Sequence, residues 1–351
     1  MKNKSRFELI DGVCGAAILW IVVYHLLNEH TKVYPAFFSG IIKSGHLGVP
    51  VFFIVSGFAV STAAAKVLAG KDTALHFLAR RLTRIYQPLV FSLITAGFVI
   101  PFLCAAICRR YGIDPSEYFF HYSFWEWAGL FTLTKIFVPV AGELNRSFVP
   151  INGALWFVAV LVQMYLVVFA ALLNRRFYYP VLLAVTALWV STLLPHGAAW
   201  IPRGLFITSW APFAAGIVLY HSLSLGSWKL RVILCAGAAG LAFSSFSDLT
   251  FTLFFALLLW ALYPLDERTS KMRCLQPLLF LGSFSYSLYL LHIPFDQLVT
   301  LVAGGLNPFN FPDHILDLGV IIPGIDFLAW LWSLVFEKQM FFRKGTAGQL
   351  R

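Results

Sequence analysis

Charge is what this sequence has least of. Only 12% of its 351 residues are Asp, Glu, Lys or Arg, against about a quarter in a soluble domain. With 59% hydrophobic residues and a mean hydropathy of +0.78, that shortage excludes a soluble enzyme and points to a polytopic membrane protein. Acids are scarcest of all, 16 against 26 Lys and Arg, which leaves a net charge of +10. In so apolar a chain that excess reads as a loop bias at one membrane face, not as a nucleic-acid surface. The five cysteines (Cys14, Cys104, Cys108, Cys235 and Cys274) are scattered. Cys104 and Cys108 sit one helical turn apart and read as packing residues. No metal-ligand spacing appears, so no metal is expected. The sequence also lacks repeats, low-complexity tracts and a visible linker. Its first apolar stretch is long enough to span and has no small-residue cleavage site after it, so no cleavable leader is expected. The expectation is one membrane domain over 1–351 with no fused soluble part.

What is abundant fits that reading. The 35 Phe and 11 Trp suit lipid-facing and interfacial positions. Ten stretches come close to the roughly 20 residues a bilayer requires. They are 7–27, 46–68, 85–107, 152–173, 177–194, 205–222, 231–246, 249–264, 278–299 and 316–336; those at 177–194, 231–246 and 249–264 are short. The expected fold is therefore all-α, with about ten transmembrane helices. Placing the N-terminus in the cytoplasm puts 19 Lys and Arg inside and 7 outside, as the positive-inside rule requires. Both termini then lie on the cytoplasmic side. In the longest outside loop, 108–151, the stretch carrying Trp125 and Trp127 predicts an interfacial helix.

Ionisable groups inside hydrocarbon are costly and mark function by default. The first span runs RFELIDGVCGAAILWIVVYH. It carries Arg6 and Asp11 at its near end and His25 toward its far end. An imidazole can act as general base near neutral pH; it can also snorkel at a helix end. Arg6 and Asp11 are either an interfacial ion pair or a polar cluster facing a cytoplasmic entrance. The second span holds Ser56 and Gly57, small residues that allow close helix approach, with His46 at its start. In RRLTRIYQP, Arg80, Arg81 and Arg84 precede the third span. Their guanidinium forks suit phosphate oxygens, and the same cluster could set topology or meet anionic lipid. Gln163 shares a helical face with Trp156 and requires a partner in hydrocarbon. The ninth span, SFSYSLYLLHIPF, is unusually polar, with Ser285, Tyr286, Ser287, Tyr289 and His292. Its Pro294 frees a backbone carbonyl.

Taken together, these segments resemble the membrane-bound acyltransferase-3 family of bacterial O-acyltransferases. The matching stretches stand in family order. They are Arg6, Glu8, Leu9, Asp11, Gly12 and His25 in the first span, FFIVSGF at 52–58, RIYQP at 84–88, then Trp156, Gln163 and Tyr165, and SYSLYLLHIPF at 285–295. The resemblance implies transfer of an acyl group, commonly acetyl, from acyl-CoA to a hydroxyl of a cell-surface or lipid-linked carbohydrate. It implies that His25 is the catalytic histidine, with Arg6, Asp11, Tyr289 and His292 in support and Arg80, Arg81 and Arg84 assisting the CoA donor. It implies the bacterial cytoplasmic (inner) membrane, and either a separate extracytoplasmic partner or a homo-oligomer. Two positions depart from the family. Cys14 stands where an arginine usually lies, eleven residues before His25 and about 16 Å away along the helix axis. Leu161 stands where many members carry glutamate. Two competing expectations remain: a lipid-linked saccharide transporter or polymerase-like protein using the same polar interior, and an inactive relative acting as an assembly partner.

Overall fold

In the computed structural model, residues 8–28, 30–119, 121–138, 148–149, 151–195, 197, 199, 201–224, 247–266, 271–305 and 316–338 are described. The chain is a helical, polytopic membrane protein with no strand among those residues. The helices are α1 (Glu8–Leu27), α2 (Ala36–Lys43), α3 (Gly48–Leu68), α4 (Ala74–Ile94), α5 (Ile100–Tyr111), α6 (Phe124–Phe131), α7 (Leu155–Leu173), α8 (Tyr178–Ser191), α9 (Trp210–Ser224), α10 (Ser247–Leu262), α11 (Gln276–Gly282), α12 (Ser285–Gly305) and α13 (Ile322–Ser333).

Six helical stretches among the described residues are long and apolar enough to cross a bilayer, and a seventh is counted if Arg273–Gly282 and Ser285–Ala303 form one broken span. These account for seven of the ten stretches expected from sequence. The short ones behave as their length suggests. The stretch at 177–194 forms α8 with 14 residues and that at 249–264 forms α10 with 16, while 231–246 lies outside the described residues. The stretch expected to form an interfacial helix folds as the eight-residue α6. A reciprocal capping box opens it, Ser123 accepting from the Glu126 N–H and the Glu126 carboxylate accepting from the Ser123 N–H. Phe124 and Trp125 stand exposed on it.

The helices fall into two compact units. The first comprises 1–17, 46–82 and 160–283. Its centre is α3 against α9. A Cβ on Gly57 would overlap the carbonyl of Phe213, and one on Gly216 would overlap that of Ile54. Backbone thus packs directly on backbone, as small residues permit between membrane helices. Ile54, Ala215, Leu219, Ala256 and Leu259 close the core around that seam, with α10 covering it. The near half of α1 meets α11 in the same fashion, Gly15 against Leu278 and Gly282 against Asp11. An α-helix leaves its first N–H groups unpaired; here the Leu9 N–H donates to Oδ1 of the fully buried Asp266 at 2.6 Å.

The second unit comprises 18–45, 83–159 and 284–351. In it α12 packs along α13 and α5. The polar residues of α12 have defined partners. Pro294 has no N–H to give the Leu290 carbonyl four residues back. Asn152 supplies the missing donor, its Nδ2 lying 2.6 Å from the Leu290 oxygen. The Tyr289 hydroxyl donates to the Ala154 carbonyl at 2.7 Å, and that of Tyr286 to the Ile85 carbonyl at 3.1 Å. The segment leading into α7 is thereby clasped to the middle of α12.

Candidate active site

Two histidines converge within the second unit. His25, on the last turn of α1, lies with its ring centroid 5.1 Å from that of His292 on α12, the planes tilted by 44°. His292 is buried at 2% exposure, whereas His25 presents open surface. A carbonyl can only accept, so the 2.8 Å contact between His292 Nδ1 and the Tyr289 carbonyl oxygen fixes the proton on Nδ1. His292 Nε2 therefore carries its lone pair, and it has no hydrogen-bond partner among the described residues. Tyr289 packs 5.8 Å from His292, centroid to centroid. Its hydroxyl is committed to Ala154, so it touches the histidine through its ring and backbone oxygen. Asn152, which sequence reasoning passed over, is buried at 2% exposure and holds the backbone of α12 two residues before His292. The carbonyl orphaned by Pro294 was the available signal for such a donor.

The arginines of α4 take separate partners. Arg80 pairs with Asp72, which also accepts from His76 Nδ1 at 2.8 Å. The hydrogen bond from Arg80, ahead of those from His76 and the Thr73 N–H, holds the Asp72 carboxyl down at about 2. Arg81 points into the first unit. Its Nη2 donates to the Ala59 carbonyl of α3 at 2.5 Å, and its guanidinium lies 6.0 Å from the Tyr165 ring centroid. Arg84 is exposed. Arg6 lies outside the described residues. Asp11 is half-buried, with its backbone pressed against Gly282. In the first unit, Gln163 is satisfied by the turn before α9, donating to the Gly204 carbonyl at 2.9 Å and accepting from the Phe206 N–H at 3.1 Å. That turn places Gly204 at φ +86°, a backbone region that favours glycine. His46 lies 3.7 Å from Asp248. Close helix approach in α3 falls on Gly57 rather than Ser56.

Residues 8–336 match the family described as the acyltransferase domain. The chain belongs to this acyltransferase family. A stretch of 90 residues is also 37% identical to "Protein 2 in picA locus" of Rhizobium radiobacter. That stretch covers 25% of this chain and 43% of the relative, so the chain spans less than half the length of that curated protein. No solved structure matches the chain.

Within the acyltransferase family match lie every described residue of the histidine pair and its clasp. The two departures lie there as well. Cys14 is buried at 8% exposure on the same helix as His25, and Leu161 is buried at 4% on α7. Both side chains are packed into the first unit's share of these helices.

Proposed function

We propose that this protein is an integral-membrane O-acyltransferase that moves an acyl group, acetyl in the simplest case, from acyl-CoA to a hydroxyl of a cell-surface or lipid-linked carbohydrate. The observation that carries this reading is the pairing of an open histidine, His25, with a buried one, His292, whose proton position is fixed. His25 takes the proton of the acceptor hydroxyl. The oxygen attacks the thioester carbonyl, a C–O bond forms and the C–S bond breaks. The CoA thiolate leaves and receives the proton back from the imidazolium, so the free thiol and the ester are the products. Protonated His25 is a donor at both ring nitrogens, and the lone pair on His292 Nε2 is an acceptor close by. Ion–dipole stabilisation of this kind is worth more in a low-dielectric interior than in water.

The donor is proposed to bind at the face where α4 begins. Arg84 is free there of any ion pair among the described residues, and Arg80 can exchange Asp72 for a phosphate. Arg81 already serves α3 and fits a structural role better than a phosphate contact. The proposed location is the bacterial cytoplasmic membrane, and the charge asymmetry of the loops supports both termini inside. A separate extracytoplasmic protein or a second copy of the chain is the proposed partner for acyl handling. The test is transfer of label from radiolabelled acetyl-CoA into the envelope polysaccharide fraction. Membranes holding the wild-type chain are compared with membranes holding His25→Ala at equal abundance. Label with wild type alone is expected; equal label from both would remove His25 from the mechanism.

A further inference from the structure

A cavity of about 570 Å³ opens in the second unit at the C-terminal end of α5, and its polar lining comes from α12. Tyr111 and Tyr118 contribute rings, and Asp296, Gln297 and Thr300 contribute polar groups. Its size lies within the range of small-molecule sites. Asp296 follows His292 by one helical turn, so the two share a face of α12 about 6 Å apart along the axis. The Thr300 hydroxyl donates to Asp296 Oδ1 at 3.0 Å. This holds the carboxylate in one orientation, and Asp296 makes no other hydrogen bond among the described residues.

We propose that this cavity is the acceptor subsite and that it holds a neutral saccharide unit; the proposal rests on the acyltransferase reading above. A sugar ring has apolar C–H faces and a rim of hydroxyls. Tyrosines match that duality, because each offers an apolar body with a polar tip. A carboxylate accepts from two hydroxyls, and a glutamine amide both donates and accepts. An acyl-chain pocket would have no use for Asp296, Gln297 and Thr300. A phosphate or an acidic sugar would be repelled by Asp296. The cavity's carboxylate, Asp296, stands one helical turn beyond His292 on α12, so on this proposal the sugar sits on the side of α12 that carries the histidine pair.

The test uses the full chain in lipid nanodiscs and saturation-transfer NMR. The probes are cellopentaose, mannopentaose and chitopentaose as neutral oligosaccharides, and a galacturonate pentamer as an acidic one. At least one neutral probe is expected to bind. Asp296→Asn and Tyr111→Ala should each weaken it by about 10-fold, the worth of one hydrogen bond to a charged group or one ring contact. Unchanged melting will show that both variants are folded. Binding to no neutral probe, preferential binding of the acidic one, or unchanged affinity in both variants overturns the proposal. The two readings separate cleanly. Sugar binding without acyl transfer overturns the enzyme assignment alone. Transfer with an acceptor KM unmoved by Asp296→Asn overturns the subsite alone.

Discussion

The imidazoles of His25 and His292, one near the start of the chain and one near its end, lie 5.1 Å apart between ring centroids. Their surroundings divide the roles. His25 is open and lacks a hydrogen bond among the described residues, so it can meet a substrate. His292 is enclosed and anchored through Nδ1 to the Tyr289 carbonyl, so in the proposed mechanism it acts through His25.

That division predicts unequal losses. His25→Ala should reduce acyl transfer by about 10²–10⁴-fold, the usual contribution of a general base. His292→Phe keeps the ring volume and removes the acceptor. It should cost about 10–100-fold, the equivalent of one hydrogen bond to a charged group, and should move the pH profile of kcat/KM. Full activity in His292→Phe would leave that residue a packing role.

The Asn152 and Pro294 pair can be tested by a double-mutant cycle. Asn152→Ala strands the Leu290 carbonyl in a buried setting and should destabilise the protein by about 1–3 kcal/mol. Pro294→Ala restores the intrahelical donor. Asn152→Ala should therefore cost much less in the Pro294→Ala background, with a coupling of at least about 1 kcal/mol. Thermal melting in detergent reads it, and additive losses would show that the proline and the asparagine act independently.

Close backbone contact between α3 and α9 makes two glycines irreplaceable. Gly57→Ala and Gly216→Ala each place a methyl against a carbonyl of the facing helix. The expected cost is about 1–3 kcal/mol or more, as for other overpacked cores. Ser56→Ala, one residue away, should be nearly silent. The comparison is made by the yield of folded protein and by its melting temperature.

Asp72 gives an acid-side dependence outside the membrane. Its folded value, about 2, is below the roughly 3.9 of an unfolded aspartate. The stabilisation is thus fully present above pH about 4 and is lost as pH falls toward 2. Asp72→Asn should flatten the melting curve's pH dependence in that window. It should also release Arg80, so the KM for acyl-CoA should fall if Arg80 serves the donor. An unchanged KM would assign Arg80 to the turn before α4 alone.

Much of this molecule is legible without coordinates, and the reason is local. Hydropathy and the shortage of charge report how each segment partitions between water and hydrocarbon, so the long spans, the helical class and α6 follow from nearby residues. The ordered motifs from Asp11 to His292 are likewise carried by short stretches, and the resemblance to the acyltransferase family rests on them alone. Short apolar runs such as α8 and α10 are ambiguous in sequence, because length alone distinguishes a full crossing from a buried helix. What spacing could not reveal is which side chains from distant segments meet. Three arginines in one motif look alike, yet Arg80 turns to Asp72 and Arg81 to the Ala59 carbonyl of α3. Pro294 announces a missing hydrogen bond, but only packing shows that Asn152 fills it. The sequence by itself determined the solvent in which the chain folds, its helices and the histidine to suspect. The tertiary structure decided that His25 is paired with His292 and that a polar cavity opens one turn beyond them. Such pairings depend on how helices far apart in sequence approach, and no local pattern encodes that.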